Sequence, residues 1–226
     1  MARPGIGAVR APDRLTPLQR IVLRTFFAAE RGFFLSGGGA LVGFYLGHRE
    51  TTDLDLFTTS SEAFDRARIV LPNVVAAFGG TLVTRQDAPG FRRVVVQRGD
   101  EQLVVDLVRE VGPQLHPKQD LDGVLVDSME EIFVNKLTTL VSRQEVRDLI
   151  DVLELERHGL RAEDHLAEAN LKDGGCTPAT IAWLLSEWPI DESAVLPAGY
   201  TVVEVRAFKD GLAERMAMAA HPASGG

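Results

Sequence analysis

Asp53 and Asp55 stand one residue apart in the run Asp53-Leu54-Asp55-Leu56-Phe57. Alternation of polar and apolar residues predicts a β-strand, with both carboxylates on one face and Leu54 and Leu56 on the other. Like charges held side by side on a rigid strand repel each other, so that face calls for a compensating cation. Carboxylate oxygens favour a hard divalent ion such as Mg²⁺. Upstream, Gly37-Gly38-Gly39 follows the apolar run Phe33-Phe34-Leu35. A glycine turn after a buried strand lets backbone N–H groups approach phosphate oxygens closely. Together the two features predict metal-assisted chemistry on a nucleotide. The plain alternative is an Asp-rich edge strand beside an ordinary glycine loop. A third carboxylate, Asp106, interrupts the apolar run Leu103-Val104-Val105-Asp106-Leu107-Val108. A buried carboxylate is costly unless it is paired or bound to metal, whereas an Asp106 facing solvent on a half-exposed strand needs neither.

These side chains need elements to carry them. Thr16-Pro17-Leu18-Gln19 predicts a helix start, with Thr16 as N-cap, Pro17 at N1 and Gln19 completing a capping box. The stripe Leu18, Ile21, Val22, Thr25, Phe26 and Ala29 continues that helix until Gly32, which delivers the chain into the Phe33 strand. Ala40 to Leu46 is apolar and long enough for about two helical turns. Ser60-Ser61 predicts a cap for a helix over about 62–78, which Pro72 should break or kink. Runs at 81–84, 93–97 and 103–108 read as strands of a meander, with turns at Asp87–Gly90 and Gly99-Asp100. The polar, proline-bearing stretch from Gly112 to Gly123 reads as a loop, and Val124 to Val126 predicts a short strand. Ser128 and Glu131 then form a second capping-box pattern, and almost everything beyond reads helical, including about 162–172, 178–187 and 201–220.

The runs Gly-Gly-Gly-Ala-Leu at 37–41, Leu-Gly-His-Arg at 46–49 and Thr-Asp-Leu-Asp-Leu-Phe at 52–57 resemble the abortive-infection (AbiEii-type) nucleotidyltransferase family of the polymerase-beta-like superfamily. The resemblance is continuous from Phe34 to Phe57, weak at Val105–Val108 and clearer from Lys136 to Asp151. It implies an α+β fold: a small mixed β-sheet nucleotidyltransferase core over 14–126, flanked by helices, then an all-helical C-terminal domain over 127–226. It implies transfer of a nucleoside monophosphate from an NTP to an acceptor hydroxyl, such as a tRNA 3′ end, by the toxin half of a toxin–antitoxin pair. Asp53, Asp55 and Asp106 would hold two Mg²⁺ ions, and Gly37, Gly38 and Gly39 would seat the β- and γ-phosphates. Arg49 and Arg147 would contact substrate. Lys136 would neutralise the departing pyrophosphate, and Asp148 would orient Lys136 or an arginine, or assist deprotonation. The chain departs from the family pattern at Gly39, where a Ser or Thr is usual. The residues alone read differently in the Lys136–Asp151 stretch: a lysine snorkelling beside an apolar face, and a surface ion-pair ladder of Arg143, Arg147, Asp148 and Asp151. Two other functions stay open, a catalytically silent fold that acts by binding a partner protein, and transfer to a small molecule such as an antibiotic.

Composition bounds these readings. The chain has 226 residues, 45% hydrophobic and 25% charged, as expected of a globular protein. No apolar run approaches the roughly 18 residues of a membrane span, and the N-terminus lacks the apolar stretch of a signal peptide. A single cysteine, Cys176, rules out an internal disulfide and suits a cytoplasmic location. The five histidines show no metal-ligand spacing. Charge is uneven: residues 1–31 carry six arginines against two acidic residues, and residues 148–226 carry six basic against fourteen acidic. Broad DNA binding is therefore not expected, although a local arginine-lined mouth could hold an RNA end or a triphosphate. Trp183 and Trp188 read as core or interface, and 1–13 and 221–226 as loose ends.

Overall fold

The computed structural model describes residues 14–221; of the expected loose ends at 1–13 and 221–226, all but His221 lie outside them, and His221 is the C-cap of the last helix. The described chain divides into two compact units. The first holds the residues up to Val111 together with Lys118–Asp127, and the second holds Gly112–Pro117 and everything from Ser128. Segment 112–117 thus belongs with the helical part, although the chain returns to the first unit after it.

The first unit is a mixed seven-stranded sheet with helices. Its elements are α1 (Pro17–Ala29), β1 (Phe34–Ser36), α2 (Gly37–Ala40), a π-helical turn (Leu41–Tyr45), β2 (Asp53–Thr58), α3 (Ser61–Ala77), β3 (Thr81–Ala88), β4 (Phe91–Arg98), β5 (Glu101–Arg109), β6 (Gln119–Leu121) and β7 (Val124–Val126). The strand order is β3-β4-β5-β2-β1-β7-β6. The expected meander is the antiparallel ladder β3-β4-β5, and β2 then lies parallel to β5 and antiparallel to β1. Strict alternation in β2 buries Leu54 and Leu56 completely and leaves Asp53 and Asp55 half-buried on the other face. The buried rings of Phe26, Phe27 and Phe33 pack edge to face, fixing α1 beside the start of β1.

α1 begins with the full reciprocal capping box of Thr16 and Gln19. The Gln19 amide also donates to the Thr51 carbonyl at 2.9 Å, so the cap grips the loop that leads into β2. Three local expectations need correction. The glycine run is not a free turn before a helix over 40–46. Helical structure starts at Gly37 itself, which takes φ +63°, and it widens into the π-turn before Gly47, at φ +57°, ends it. Pro72 does not break α3, which runs on to Ala77. Proline cannot donate to the Arg68 carbonyl one turn back, and the Arg92 guanidinium reaches that oxygen instead, at 3.5 Å. Strand β6, in what read as a polar loop, pairs with β7.

The second unit is built from α4 (Met129–Ser142), α5 (Val146–Arg157), α6 (Ala162–Lys172), α7 (Pro178–Glu187) and α8 (Val202–Ala220). Ser128, Thr177 and Thr201 cap α4, α7 and α8 through their hydroxyls. Phe133, Leu137, Leu149, Leu155, Leu212 and Met216 form its core. Trp188 is buried, whereas Trp183 is exposed. Only half of the Ser128–Glu131 capping box forms. Ser128 accepts from the Glu131 amide at 3.2 Å, but the Glu131 carboxylate accepts from the backbone of Leu115 and His116, at 3.0 and 2.7 Å. That bond set ties segment 112–117 to α4. Among the described residues no helix is long and apolar enough to cross a membrane.

Candidate active site

The sheet brings the three strand carboxylates onto neighbouring positions. Asp55 is the register partner of Ser36 on β1 and of Asp106 on β5, and Asp53 lies two residues along the same face. The Thr51 hydroxyl donates to Asp53 Oδ1 at 2.8 Å. Since Gln19 holds the Thr51 carbonyl, a continuous chain of bonds runs from the α1 cap to the first carboxylate.

Asp106 is 4% exposed, so it does not face solvent. Its charge is met by Arg93 in a bidentate pair, Nε to Oδ1 at 2.8 Å and Nη2 to Oδ2 at 2.6 Å. Bidentate guanidinium–carboxylate pairs are among the stronger charge-assisted contacts. The Arg93 guanidinium is held more firmly protonated than usual, first by its bonds to Asp106 and then by the negative charges of Asp106, Asp55 and Asp53. One cation therefore feels all three carboxylates. Sequence reasoning did not single out Arg93, yet a signal was present. The Gly99-Asp100 turn pairs Arg98 with Glu101, and counting back along the antiparallel ladder sets Arg93 opposite Asp106. Asp53 and Asp55 offer only carboxylate oxygens, a donor set that suits one hard divalent cation. A second ion drawing on Asp106 would compete with Arg93 for both its oxygens.

Each of the three glycines has its own neighbour. A Cβ on Gly37 would lie 3.2 Å from Asp55 Oδ2, so the residue at the head of α2 faces the carboxylate directly. A Cβ on Gly38 would lie 2.6 Å from Arg49 Nη2, and Arg49 is buried there. Gly39 faces Leu54 and Leu35, which a Cβ would meet at 3.2 and 3.4 Å. The absence of Ser or Thr at 39 thus goes with close packing of this turn onto the apolar side of β1 and β2.

The remaining expected site residues lie in the second unit, and they do not form a surface ladder. Asp148 and Asp151 are 2% and 0% exposed. Lys136, from α4, lies between them, at 2.6 Å from Asp148 and 2.7 Å from Asp151. Burial alone would depress the Lys136 ammonium, but the attraction of Asp151 and Asp148 outweighs it and raises its pKa. Burial would raise the Asp148 carboxyl, but Lys136 and Arg143 hold it below its ordinary value. Arg143 binds Asp148 from the other side at 2.8 Å. Arg147, expected to lie along the face of Asp151, is exposed and pairs with Glu145 at 3.0 Å.

The histidines also depart from expectation. His116, His165 and Glu168, all in the second unit, place three ligand-type atoms within 4.8 Å of one another, the one such set among the described residues. Spacing could not reveal it, because His116 is remote in sequence from the His165-x-x-Glu168 pair.

The family model described as nucleotidyl transferase AbiEii toxin, type IV TA system, matches residues 20–221. No curated protein matches the chain by sequence. Among solved structures, the nucleotidyltransferase toxin MenT4 from Mycobacterium tuberculosis H37Rv is similar at 15% identity and a TM-score of 0.62, over 92% of this chain and 83% of that one. JHP933 from Helicobacter pylori is similar at 22% identity and a TM-score of 0.59, over 90% of each chain. A further H. pylori chain reaches 20% identity and a TM-score of 0.59, over 92% of this chain and 96% of its own. At such identities these likenesses speak to the fold.

Proposed function

The chain belongs to the AbiEii nucleotidyltransferase toxin family, and from that membership we propose a Mg²⁺-dependent transfer of a nucleoside monophosphate from an NTP to a tRNA 3′-terminal hydroxyl. The observation that carries this reading is the register that sets Asp55 between Ser36 and Asp106, with Asp53 on the same face. In the proposed site Asp53 and Asp55 hold the metal, which when bound supplies charge neutralisation to the triphosphate. The bond from Thr51 fixes the Asp53 carboxylate before substrate arrives, and preorganisation of this kind lowers the reorganisation needed during reaction. Gly37, Gly38 and Gly39 receive the β- and γ-phosphates, and Arg49, seated over Gly38, adds positive charge beside them. Asp106 joins the site when Arg93 gives up its oxygens, and Arg93 is then free to turn toward phosphate.

Lys136, Asp148 and Arg147 enter the proposal through the family resemblance alone. The surroundings of Lys136 support a buried structural triad equally well, and the two roles separate experimentally as described below. The same membership supports a cytoplasmic toxin with an antitoxin partner.

Purified protein incubated with each labelled NTP, Mg²⁺ and total RNA tests the reading. The expected result is label on the tRNA 3′ end with release of pyrophosphate, both abolished in Asp55→Asn. Absence of pyrophosphate with every NTP, or transfer undiminished in Asp55→Asn, would overturn it. Transfer to small hydroxyl compounds with none to RNA would replace the acceptor and keep the chemistry.

A further inference from the structure

We propose that His116, His165 and Glu168 form a binding site for a borderline divalent transition ion, zinc above all, that clips segment 112–117 onto α6. The proposal is independent of the transferase reading, since all three residues lie in the second unit and none belongs to the strand carboxylates.

Two ligands come from one face of α6, where His165 and Glu168 are one helical turn apart. The third arrives on segment 112–117, and the scaffold holds it there. Glu131, fully buried on α4, accepts the backbone amides of Leu115 and His116. Its other oxygen takes Lys172, from the end of α6. The His165 ring is set by Phe133, which packs edge-on at 5.4 Å and 83°. The backbone of His116 and the ring of His165 are therefore held by groups outside the cluster.

Both aim a nitrogen at the same oxygen. His116 Nε2 lies 3.1 Å and His165 Nδ1 2.7 Å from Glu168 Oε2. Bonds of about 2.0–2.1 Å in a tetrahedral zinc site set neighbouring ligand atoms about 3.3 Å apart. To reach that spacing His165 Nδ1 would draw back from Glu168 Oε2 by about 0.6 Å and His116 Nε2 by about 0.2 Å. Two nitrogens and one oxygen suit zinc and its neighbours, whereas Mg²⁺ and Ca²⁺ prefer oxygen throughout. The cluster is half-exposed, which gives an ion its entry path and leaves the fourth position to water.

The test uses the full chain stripped with a chelator, then titrated with Zn²⁺ in excess Mg²⁺. Wild type should retain about one zinc per chain after desalting and show a zinc-dependent rise in Tm. His116→Gln and His165→Gln should each weaken zinc binding about tenfold or more and lose that rise, while Asp55→Asn keeps both. For any variant that fails to fold, NMR of wild type replaces it: the ring signals of His116 and His165 should shift together on zinc addition. No zinc on wild type, retention in both histidine variants, loss in Asp55→Asn, or unmoved ring signals would each overturn the proposal.

Discussion

Replacing Lys136 with Met removes one ammonium from between two buried carboxylates. At 2.6 and 2.7 Å each contact is worth about 6 kcal/mol of direct attraction at an effective dielectric of about 20. Most of that is offset by the cost of taking three charges out of water, and breaking a buried pair costs a net ~3–5 kcal/mol. The loss falls unevenly. Asp148 keeps Arg143 at 2.8 Å, whereas Asp151, 0% exposed, loses the ammonium beside it. Burial of a carboxylate that has lost a cation favours its neutral form, which raises a carboxyl pKa. Stability tied to such a raised group is fully present below the unfolded carboxylate pKa and is lost as pH rises through the folded one. Urea unfolding of Lys136→Met should show a deficit of ~3–5 kcal/mol at pH 7 that shrinks toward pH 5. Adding Asp151→Leu should recover most of it, because an apolar replacement leaves no carboxylate to desolvate there. A deficit under about 1 kcal/mol, or one that does not change with pH, would refute the account of a buried triad. The double variant also separates the two roles of Lys136. Retained nucleotide transfer in a stable Lys136→Met/Asp151→Leu protein assigns the residue to structure, and transfer lost at intact stability assigns it to the reaction.

Other outcomes follow from the same geometry. Arg93→Ala leaves Asp106 buried without its guanidinium, so the variant should lose about 1–3 kcal/mol in Mg²⁺-free buffer and regain part of it on Mg²⁺ addition; thermal unfolding without a Mg²⁺ effect would remove Asp106 from the proposed metal set. Gly38→Ala drives a methyl toward Arg49 Nη2, the movable end of a long side chain, so stability should change by less than about 1 kcal/mol while KM for NTP rises; an unchanged KM would exclude Arg49 from phosphate binding. Cys176 is buried, and burial together with Asp173 pushes its thiol up to about 12. Alkylation at pH 8 should therefore proceed only in denaturant, since the thiolate is the reactive form, as mass spectrometry after iodoacetamide would show.

Where contacts are local, the chain reveals them directly. The Thr16 capping box, the alternation of β2 and the limits of α6 and α7 depend on neighbours within a few residues, and each is present where expected. Pro72 misleads because its cost is offset by Arg92 from another strand. The glycine run misleads for a related reason, since its residues serve Asp55, Arg49 and Leu54 rather than a turn. Arg93 was legible through turn arithmetic, but only after the meander was accepted as one continuous ladder. The histidine cluster was not legible at all. Its third member is positioned by Glu131, whose side chain looked committed to a helix cap.

The Arg93–Asp106 pair bears on how such a site can fold before any ion is bound. Three carboxylates on adjacent strand positions would oppose assembly of the sheet if each stayed uncompensated. Asp106, the most buried, carries its own cation, whereas Asp53 and Asp55 stay half-buried, within reach of water. The Arg93 side chain is 48% exposed, so the guanidinium can leave for water when another cation takes its place. Exchange of that guanidinium for a divalent ion thus costs the fold little, while loss of every cation costs it the burial of a bare carboxylate. On the proposed reading, Asp53 and Asp55 give a baseline link between stability and Mg²⁺, and Asp106 adds to it once Arg93 is gone. A Mg²⁺-dependent rise in Tm should be small in wild type, large in Arg93→Ala and small again in Arg93→Ala/Asp106→Asn. Equal Mg²⁺ responses in all three would show that the ion never reaches β5.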